Sequence, residues 1–302
     1  MKGRLVLVSS YPKSGNTWMR AVLEQLRRGP GWTFSINEMP SGFYGFKRRA
    51  LFDSISPVNA ADLLVDEIEN MLPSIFRTMV EEDAYTHIIK VHDDVRRNAS
   101  GDWLYPPDAV HAVVYLVRHP FDVAVSFAHH MNLSLPDTVA LMQEGEIVSH
   151  LVDQLPLSLP QHMGSWSGSI ASWLDAAQYR VIFARYEDLY ADPVAEFGRV
   201  ALAAGFSAPQ EDIVRAVGGT QFERMREEEK TSGFRERPPT SSSFFRAGRP
   251  RSWEGKLDQD LRDRLVKDHG PMMERLGYLP DGGVGPCRVT LATDAARLPD
   301  TA

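Results

Sequence analysis

One stretch near the amino terminus decides the fold: residues 5–18 read LVLVSSYPKSGNTW. The apolar run from Leu5 to Val8 is typical of a buried strand. From residue 17 to residue 28 the apolar positions repeat at helical spacing and form one stripe for packing on a sheet: Met19, Val22, Leu23 and Leu26. The stretch therefore predicts a strand, a tight turn at Gly15 and a helix, in that order.

The turn between this strand and this helix has the composition of an anion site. The first N–H groups of the helix and the positive end of its dipole point at one small volume there. Lys13 adds a full positive charge, and Ser14, Asn16 and Thr17 add short polar groups that bond phosphate oxygens. We therefore predict a phosphate-binding loop. The spacing differs from the usual nucleoside-triphosphate loop, because Lys13 precedes Gly15 instead of following it.

The octapeptide Tyr11 to Trp18 resembles the 5′-phosphosulfate loop of the sulfotransferases that use 3′-phosphoadenosine 5′-phosphosulfate (PAPS). A second segment, YLVRHPFDVAVS at residues 115–126, is similar to another motif of that family. It reads as a buried strand followed by a helix that starts at Pro120. The resemblance implies that Arg118 and Ser126 hold the 3′-phosphate of PAPS. A surface ion pair with Asp122 is the alternative role for Arg118.

A third segment, FRAGRPRSWE at residues 245–254, resembles the family's Arg-x-Gly-x-x-Gly-x-Trp-Lys loop, which closes over the 3′-phosphate. Arg246, Gly248 and Trp253 keep their places in this motif. Arg251 stands where a second glycine is usual, and Glu254 stands where lysine is usual. We expect a Cβ at residue 251 to impose a different local backbone, with the charges of Arg249 and Arg251 as compensation.

The resemblance also implies which residues recognise the adenine and which catalyse the transfer. It places Trp18, Tyr186, Thr220 and Phe222 at the adenine, where aromatic faces stack well on a purine.

The Lys-x-His pattern of residues 90–92 stands at the end of a predicted strand, so period-two alternation turns both side chains to the same side. The resemblance assigns His92 as the general base. It makes Lys13 the acid or electrostatic stabiliser at the bridging oxygen, assisted by Lys90.

The predicted fold is an α/β, P-loop-like three-layer αβα arrangement with a central, mainly parallel sheet. Further strands are expected at 86–91, 112–117 and 180–184, and a helix at 194–204 between Pro193 and Gly205. A C-terminal helical region is expected to be interrupted near Gly270-Pro271. We predict a single domain at 1–280, in which 131–173 is a lid or interface insertion and 230–252 a mobile donor-closing loop, followed by a flexible tail at 281–302.

Composition limits the function classes. The chain has 302 residues and a net charge of −7, which gives no global attraction to nucleic acid or other polyanions. The single cysteine, Cys287, forms no internal disulfide, and no apolar run is long enough to span a bilayer. The early first strand leaves no room for a signal peptide. We therefore expect a cytoplasmic enzyme with no membrane span.

The predicted reaction is transfer of the sulfuryl group from PAPS to a hydroxyl of a small-molecule or natural-product acceptor, releasing 3′-phosphoadenosine 5′-phosphate (PAP). The resemblance implies that no metal is required, and neighbours such as His129 and His130 point about 100° apart on a helix, where two ligands rarely share an ion. Three segments are candidates for the acceptor pocket: 34–52 with Phe43, Tyr44 and Phe46; 131–173 with Met142, Leu151, Leu155, Leu157 and Leu159; and 230–245. The oligomeric state stays open, with a homodimer as one option.

Two other function classes stay open at this point. A P-loop nucleotide phosphotransferase, such as a kinase, would share the first strand and helix but would require ATP and Mg²⁺. A catalytically silent nucleotide-binding protein would keep the loop and lack a working base. The position of Lys13 and the Arg118 segment argue against the first class, and His92 argues against the second.

Overall fold

Four strands form one sheet in which all neighbours are parallel. They are β1 (Arg4–Ser10), β2 (Thr86–Val91), β3 (Val110–Val117) and β4 (Val181–Arg185), arranged in the order β2-β1-β3-β4. These observations come from a computed structural model that describes residues 3–39, 49–82, 84–145, 159, 161–238 and 241–289. The predicted parallel α/β fold is confirmed, and each predicted strand lies within two residues of an observed one.

Eleven helices are found in the described part of the chain. They are α1 (Asn16–Arg28), α2 (Arg49–Ile55), α3 (Val65–Glu82), α4 (Pro120–Met131), α5 (Leu135–Glu144), α6 (Trp166–Leu174), α7 (Tyr186–Ala191), α8 (Pro193–Ala203), α9 (Gln210–Gly219), α10 (Phe222–Ser232) and α11 (Gln259–Leu276), together with a 3₁₀ turn at Ala60–Asp62. None of these helices has the length and apolar character needed to cross a membrane.

The helices cover both faces of the sheet. Leu5 and Leu7 of β1 join one core cluster with α3, α4, α5, α6 and α11. Val6 and Val8 point the other way, into a second cluster with α1, α8 and α9. Successive side chains of β1 therefore pack alternately into the two core clusters, as expected of a strand buried on both faces. The result is the predicted three-layer αβα arrangement.

The strand order places the functional edge of the sheet. The connection from β1 leads to β2 on one side, whereas β3 and β4 lie on the other side of β1. In such open sheets, ligands bind outside the carboxyl ends of the strands, at the point where the order reverses. Lys13 follows β1, and Arg118 follows β3, so both lie at this switch point.

The prediction of a break near Gly270-Pro271 is wrong. Helix α11 runs without interruption from residue 259 to residue 276, with Pro271 inside it. A proline inside a helix loses one backbone hydrogen bond and crowds the preceding turn. Here the helix is anchored on both sides of the proline by buried side chains, Leu265 before it and Met272, Met273 and Leu276 after it. Packing therefore outweighs the local breaker signal.

Several predicted features fall partly outside the described residues, including residues 239–240 of the predicted donor-closing loop. Within the predicted 131–173 insertion, α5 and α6 pack in the main core, where Trp166 and Trp173 are fully buried. Residues 146–158 and 160 are outside the described part, so a lid or interface there stays a prediction. In the predicted tail, the N–H of Gly285 donates to the carbonyl of Gly277 at 2.7 Å. Residues 290–302 are outside the described part, and their flexibility also stays a prediction.

Candidate active site

A cavity of about 500 Å³ opens at the carboxyl edge of the sheet. It is bounded by residues that follow β1, β2 and β3, by α4 and by the loop after α10. The predicted site residues that line it are Lys13, Gly15, Asn16, Thr17, Trp18, Lys90, His92, Arg118, Ser126, Tyr186, Phe222, Arg246 and Gly248. Ser14 and Thr220 do not line it and are fully buried. Residues far apart in sequence are thus brought to one volume.

The loop after β1 has the backbone expected of an anion site. Gly15 adopts a left-handed φ of +102° and precedes α1 without a side-chain cap, which leaves the first turn of the helix uncapped. A Cβ at this position would lie 2.9 Å from the ring of Tyr186, so only glycine fits without a shift. The buried Ser14 hydroxyl has no hydrogen-bond partner among the described residues.

Asn16 shapes this loop with its side chain. Its amide nitrogen donates to the carbonyl of Val8 at 2.8 Å, and its amide oxygen accepts from Arg20 Nε at 2.8 Å. Thr17 Oγ1 also accepts from Arg20, at 3.3 Å. The hydrogen bonds from Arg20 therefore stabilise the first turn of α1. The Asn16 side chain is hydrogen-bonded to other protein groups through both its nitrogen and its oxygen.

His92 is held as a neutral imidazole. Its Nδ1 lies 2.7 Å from the carbonyl oxygen of Ser10, and this contact assigns the ring proton to Nδ1 and leaves Nε2 as the basic nitrogen. Burial lowers the pKa of His92 to about 3, and the positive charges of Lys90 and Arg20 act in the same direction. A neutral histidine in a cavity has the form that accepts a proton.

Lys13 is packed tightly into the same cavity. Its Nζ lies 3.5 Å from His130 Nδ1 and 4.2 Å from the centre of the Phe244 ring. Burial lowers the pKa of Lys13 to about 7, and repulsion from Lys90 and Arg118 acts in the same direction. The ammonium thus titrates near neutral pH, where a bound anion would favour its charged form.

Arg118 is buried beside the cavity, and so is its neighbour Asp122. Arg118 donates from NH2 to the carbonyl of Arg249 at 2.8 Å, and its guanidinium lies 4.3 Å from the centre of the Tyr186 ring. Its NH2 is 3.7 Å from Asp122, yet its Nε has no partner among the described residues. Arg118 therefore makes the ion pair with Asp122, but that pair is buried and leaves donor capacity at the cavity.

The third motif keeps the backbone that a glycine would give. Arg251 adopts a left-handed φ of +57°, so its Cβ does not redirect the chain as expected. Asp122 supports this turn: its two oxygens accept from the Arg251 N–H at 2.8 Å and from the Ser252 hydroxyl at 2.7 Å. The Arg251 side chain pairs with Glu254 at 2.6 Å and does not line the cavity, whereas Arg249 does. Of the two compensating charges, only Arg249 is placed at the site.

Three of the four residues predicted to contact the adenine line the cavity: Trp18, Tyr186 and Phe222. Trp18 and Tyr186 lie with ring centres 6.1 Å apart, and Phe222 lines the cavity near them. Gly248 has a φ of +63°, and a Cβ there would lie 2.3 Å from the Phe222 ring. Thr220 is turned away, because its hydroxyl donates to the carbonyl of Ala216 at 2.8 Å.

Sequence reasoning did not assign several charged or titratable residues of the cavity wall, Glu236 and His130 among them. Glu236 accepts from Arg20 NH2 at 2.9 Å and lies 3.1 Å from Lys90 Nζ. Although burial alone raises the pKa of Glu236, the charges and hydrogen bonds of Arg20 and Lys90 lower it to about 2. These pairs join residues from distant parts of the chain, so no local spacing in the sequence predicts them. The sequence suggests His130 only as a metal ligand, and it lies against Lys13 instead.

The candidate acceptor segments have different fates. Phe244 and Phe245, from the 230–245 segment, line the cavity. They pack with Phe34 and Phe234 in a third, smaller core cluster. Met142 and Leu159 are buried in the main core and do not line the cavity. The remaining candidates fall outside the described residues: Phe43, Tyr44, Phe46, Leu151, Leu155 and Leu157.

Among the residues that the structure describes, no three His, Cys, Asp or Glu side chains are grouped to hold a metal ion. Asp93, beside His92, is buried and accepts from the Tyr105 hydroxyl at 2.8 Å and from the His162 N–H at 2.9 Å. This carboxylate therefore anchors two loops of the core.

Three comparisons with known proteins agree: one with protein-family models, one with protein sequences and one with solved structures. The family model of the sulfotransferase domain matches residues 4–277. Mouse sulfotransferase 1 family member D1 is 22% identical over 277 residues, which is 89% of this chain and 83% of that protein. Dog sulfotransferase 1A1 is 24% identical over 284 residues, with 90% and 84% covered.

Among solved structures, retinol dehydratase in a complex with retinol and PAP has a TM-score of 0.60 at 19% identity, covering 91% of this chain and 82% of that one. This likeness confirms the fold. Because the family model spans nearly the whole chain, the protein belongs to the sulfotransferase domain family and is a sulfuryl-transferring enzyme.

Proposed function

We propose that this chain transfers the sulfuryl group of PAPS to a hydroxyl of a small apolar acceptor by in-line displacement, and releases PAP. One observation carries the proposal: Lys13, Arg118 and Arg246 surround a single cavity that also contains a neutral histidine. The whole chain has a net charge of −7, so this local concentration of cations is specific to the site. Such a site suits a donor with phosphate groups at both ends of its ribose.

The unpaired polar groups of the cavity fit that donor. Arg118 Nε and Trp18 Nε1 belong to residues that line the cavity, and they have no hydrogen-bond partner among the described residues. Buried donors normally have acceptors, so these two atoms indicate that a ligand completes the site. Gly15 and Gly248 present no side chain, which leaves room for the rings of Tyr186 and Phe222 at the proposed adenine position.

Each residue then has a chemical role. His92 Nε2 takes the proton of the attacking hydroxyl, and the Lys13 ammonium stabilises negative charge on the oxygen that leaves sulfur. Lys90 assists beside His92. Arg118, Ser126 and Arg246 hold the 3′-phosphate. No step requires a metal-bound group.

The aromatic wall supports an apolar acceptor. Phe244 and Phe245 line the cavity beside His130, on the same side as Lys13. Retinol in the solved complex of retinol dehydratase is a hydroxylated apolar molecule, which supports the same class of acceptor here. We further propose that residues 230–252 close over the bound donor, and that the enzyme acts in the cytoplasm, since its lone cysteine excludes an internal disulfide.

Binding calorimetry of PAP and of ADP, without metal, tests the proposal because it requires no known acceptor. We expect micromolar PAP binding and far weaker ADP binding, since ADP lacks the 3′-phosphate. Equal affinities would refute the donor assignment and revive the phosphotransferase alternative. A positive result is followed by a screen of hydroxylated acceptors with PAPS, in which transfer must depend on His92.

A further inference from the structure

The side chain of Glu236 places a buried negative charge in the wall of a cavity that is also lined by Lys13, Lys90 and three arginines. The carboxylate belongs to the loop after α10 and its side chain is only 6% exposed. It bonds Arg20 through three contacts of 2.9–3.0 Å and lies 3.1 Å from Lys90 Nζ. A buried carboxylate with two cationic partners keeps its charge at all physiological pH values.

This carboxylate is connected to both halves of the catalytic machinery. On one side, Arg20, which pairs with Glu236, also donates hydrogen bonds to Asn16 and Thr17 of the phosphate loop. Asn16 in turn reaches Ser10 Oγ at 3.3 Å, and the carbonyl of Ser10 accepts from His92. On the other side, Glu236 contacts Lys90 directly.

The electrostatic surroundings of Lys13 show what the charge of Glu236 does. The charged and titratable groups that face Lys13 are Lys90 in β2, His92 after β2, Arg118 after β3, His130 on α4, and Glu236 and Arg246 from the loop after α10. Of the charged groups that act on Lys13, Glu236 is the one that raises its pKa, while Lys90, Arg118 and Arg246 lower it. Burial already brings that pKa to about 7, so losing Glu236 moves Lys13 towards the uncharged amine at neutral pH.

We propose that Glu236 is a positioning residue, the internal counter-ion of the active site: it fixes Lys90 and Arg20 in place and increases the charged fraction of Lys13 at neutral pH. The functional meaning of this role rests on the proposed sulfuryl transfer, in which Lys13 stabilises the leaving oxygen. The ion network itself does not depend on that assignment, so the two are tested separately.

The direct test is the titration of Lys13 in the ligand-free protein, followed by carbon-13 NMR of reductively methylated lysines and assigned with Lys13→Arg. We expect Glu236→Gln to lower the titration midpoint of Lys13 by about one pH unit, the size of one nearby charge. Glu236→Asp keeps the charge and should restore most of the shift. An unchanged midpoint in Glu236→Gln would overturn the proposal.

Glu24→Gln is the matched control. Glu24 is 2% exposed, lies on the same helix as Arg20, and pairs with Arg27 at 2.6 Å and Arg28 at 2.7 Å. It does not line the cavity. Losing this carboxylate should cost thermal stability without moving the Lys13 midpoint. If both glutamine variants move the midpoint equally, Glu236 has only a structural role and the proposal fails.

A second variant covers the case in which Glu236→Gln does not fold. Arg20→Met combined with Glu236→Met removes both members of the buried pair, a change that proteins often tolerate. Arg20 is not one of the charges with the largest effects on the pKa of Lys13, so the midpoint should still fall. A midpoint that stays at its wild-type value in this double variant would equally overturn the proposal.

Turnover separates this proposal from the proposed function. With PAPS and an acceptor, the alkaline limb of the rate profile should move with the NMR midpoint. If the titration midpoint of Lys13 shifts but the alkaline limb of the rate profile does not, Glu236 is supported as the counter-ion and the role of Lys13 in transfer is refuted.

Discussion

Gly248→Ala offers a sharp test of how the third motif meets the nucleotide side of the cavity. Gly248 has a φ of +63°, and a Cβ there would lie 2.3 Å from two atoms of the Phe222 ring and 2.6 Å from a third. The left-handed backbone costs alanine about 1 kcal/mol, and moving the ring adds about 1–3 kcal/mol, as for other overpacked sites. The free energy of unfolding should therefore fall by about 2–4 kcal/mol.

Part of this cost should appear in donor binding, because Phe222 lines the cavity. A ring displaced by about 1 Å occupies space that the proposed adenine position needs, so we expect the Kd of PAP to rise about tenfold to a hundredfold, or about 1.4–2.8 kcal/mol. The assays are thermal unfolding and PAP calorimetry on the same samples.

Gly255→Ala supplies the control for the backbone. Gly255 has a similar φ of +72°, lies a few residues further along the chain, and has no atom within 4 Å of the place that a Cβ would occupy. Its alanine variant should lose only the backbone contribution and bind PAP normally. In a Phe222→Leu background the excess cost of Gly248→Ala should shrink by about 1 kcal/mol or more. Equal losses at Gly248 and Gly255, or strict additivity with Phe222→Leu, would refute the reasoning.

Three further predictions test other parts of the site. His92→Ala should reduce transfer about a hundredfold or more, as expected for a lost general base, with PAP affinity unchanged; normal turnover would exclude the role. PAP affinity should weaken between about pH 6 and pH 8 relative to Lys13→Met, because a group with a pKa of about 7 loses its charge over that interval; parallel profiles would contradict this. Arg251→Gly should be more stable than Arg251→Ala by about 1 kcal/mol in thermal unfolding, and both should bind PAP normally; a large affinity loss would place Arg251 at the phosphate.

The parts of the fold that the sequence predicts are those with local signals. The strand and helix around residues 5–28 follow from an apolar run, a glycine and a helical stripe within one short segment, and the structure contains them as β1 and α1. The predicted break at Pro271 is wrong for the opposite reason. A proline is a local signal, but the burial that overrides it comes from other elements that pack against α11.

The candidate site divides in the same way. Lys13 and Arg118 stand directly after strands, so the sequence places them at the functional edge of the sheet. Glu236 lies in a charged, proline-rich stretch with no regular pattern, and its partner Arg20 is 216 positions away. Nothing in either segment alone indicates the pair. The left-handed backbone of Arg251 is equally hidden, because the Asp122 contacts that support it come from the start of α4.

Repulsion among the cations of this site destabilises the ligand-free protein unless other groups offset it. Lys13, Lys90, Arg118 and Arg246 all face one cavity, and repulsion among them lowers the pKa of Lys13 as burial does. Lowering the charge of Lys13 is one way to relieve that repulsion, and a fixed carboxylate is another. The structure combines both, because Glu236 pairs with Lys90 while Lys13 stays close to its titration point. Under the proposed function, an arriving polyanion would complete the charge of Lys13, so that donor binding and activation of the lysine would be the same event.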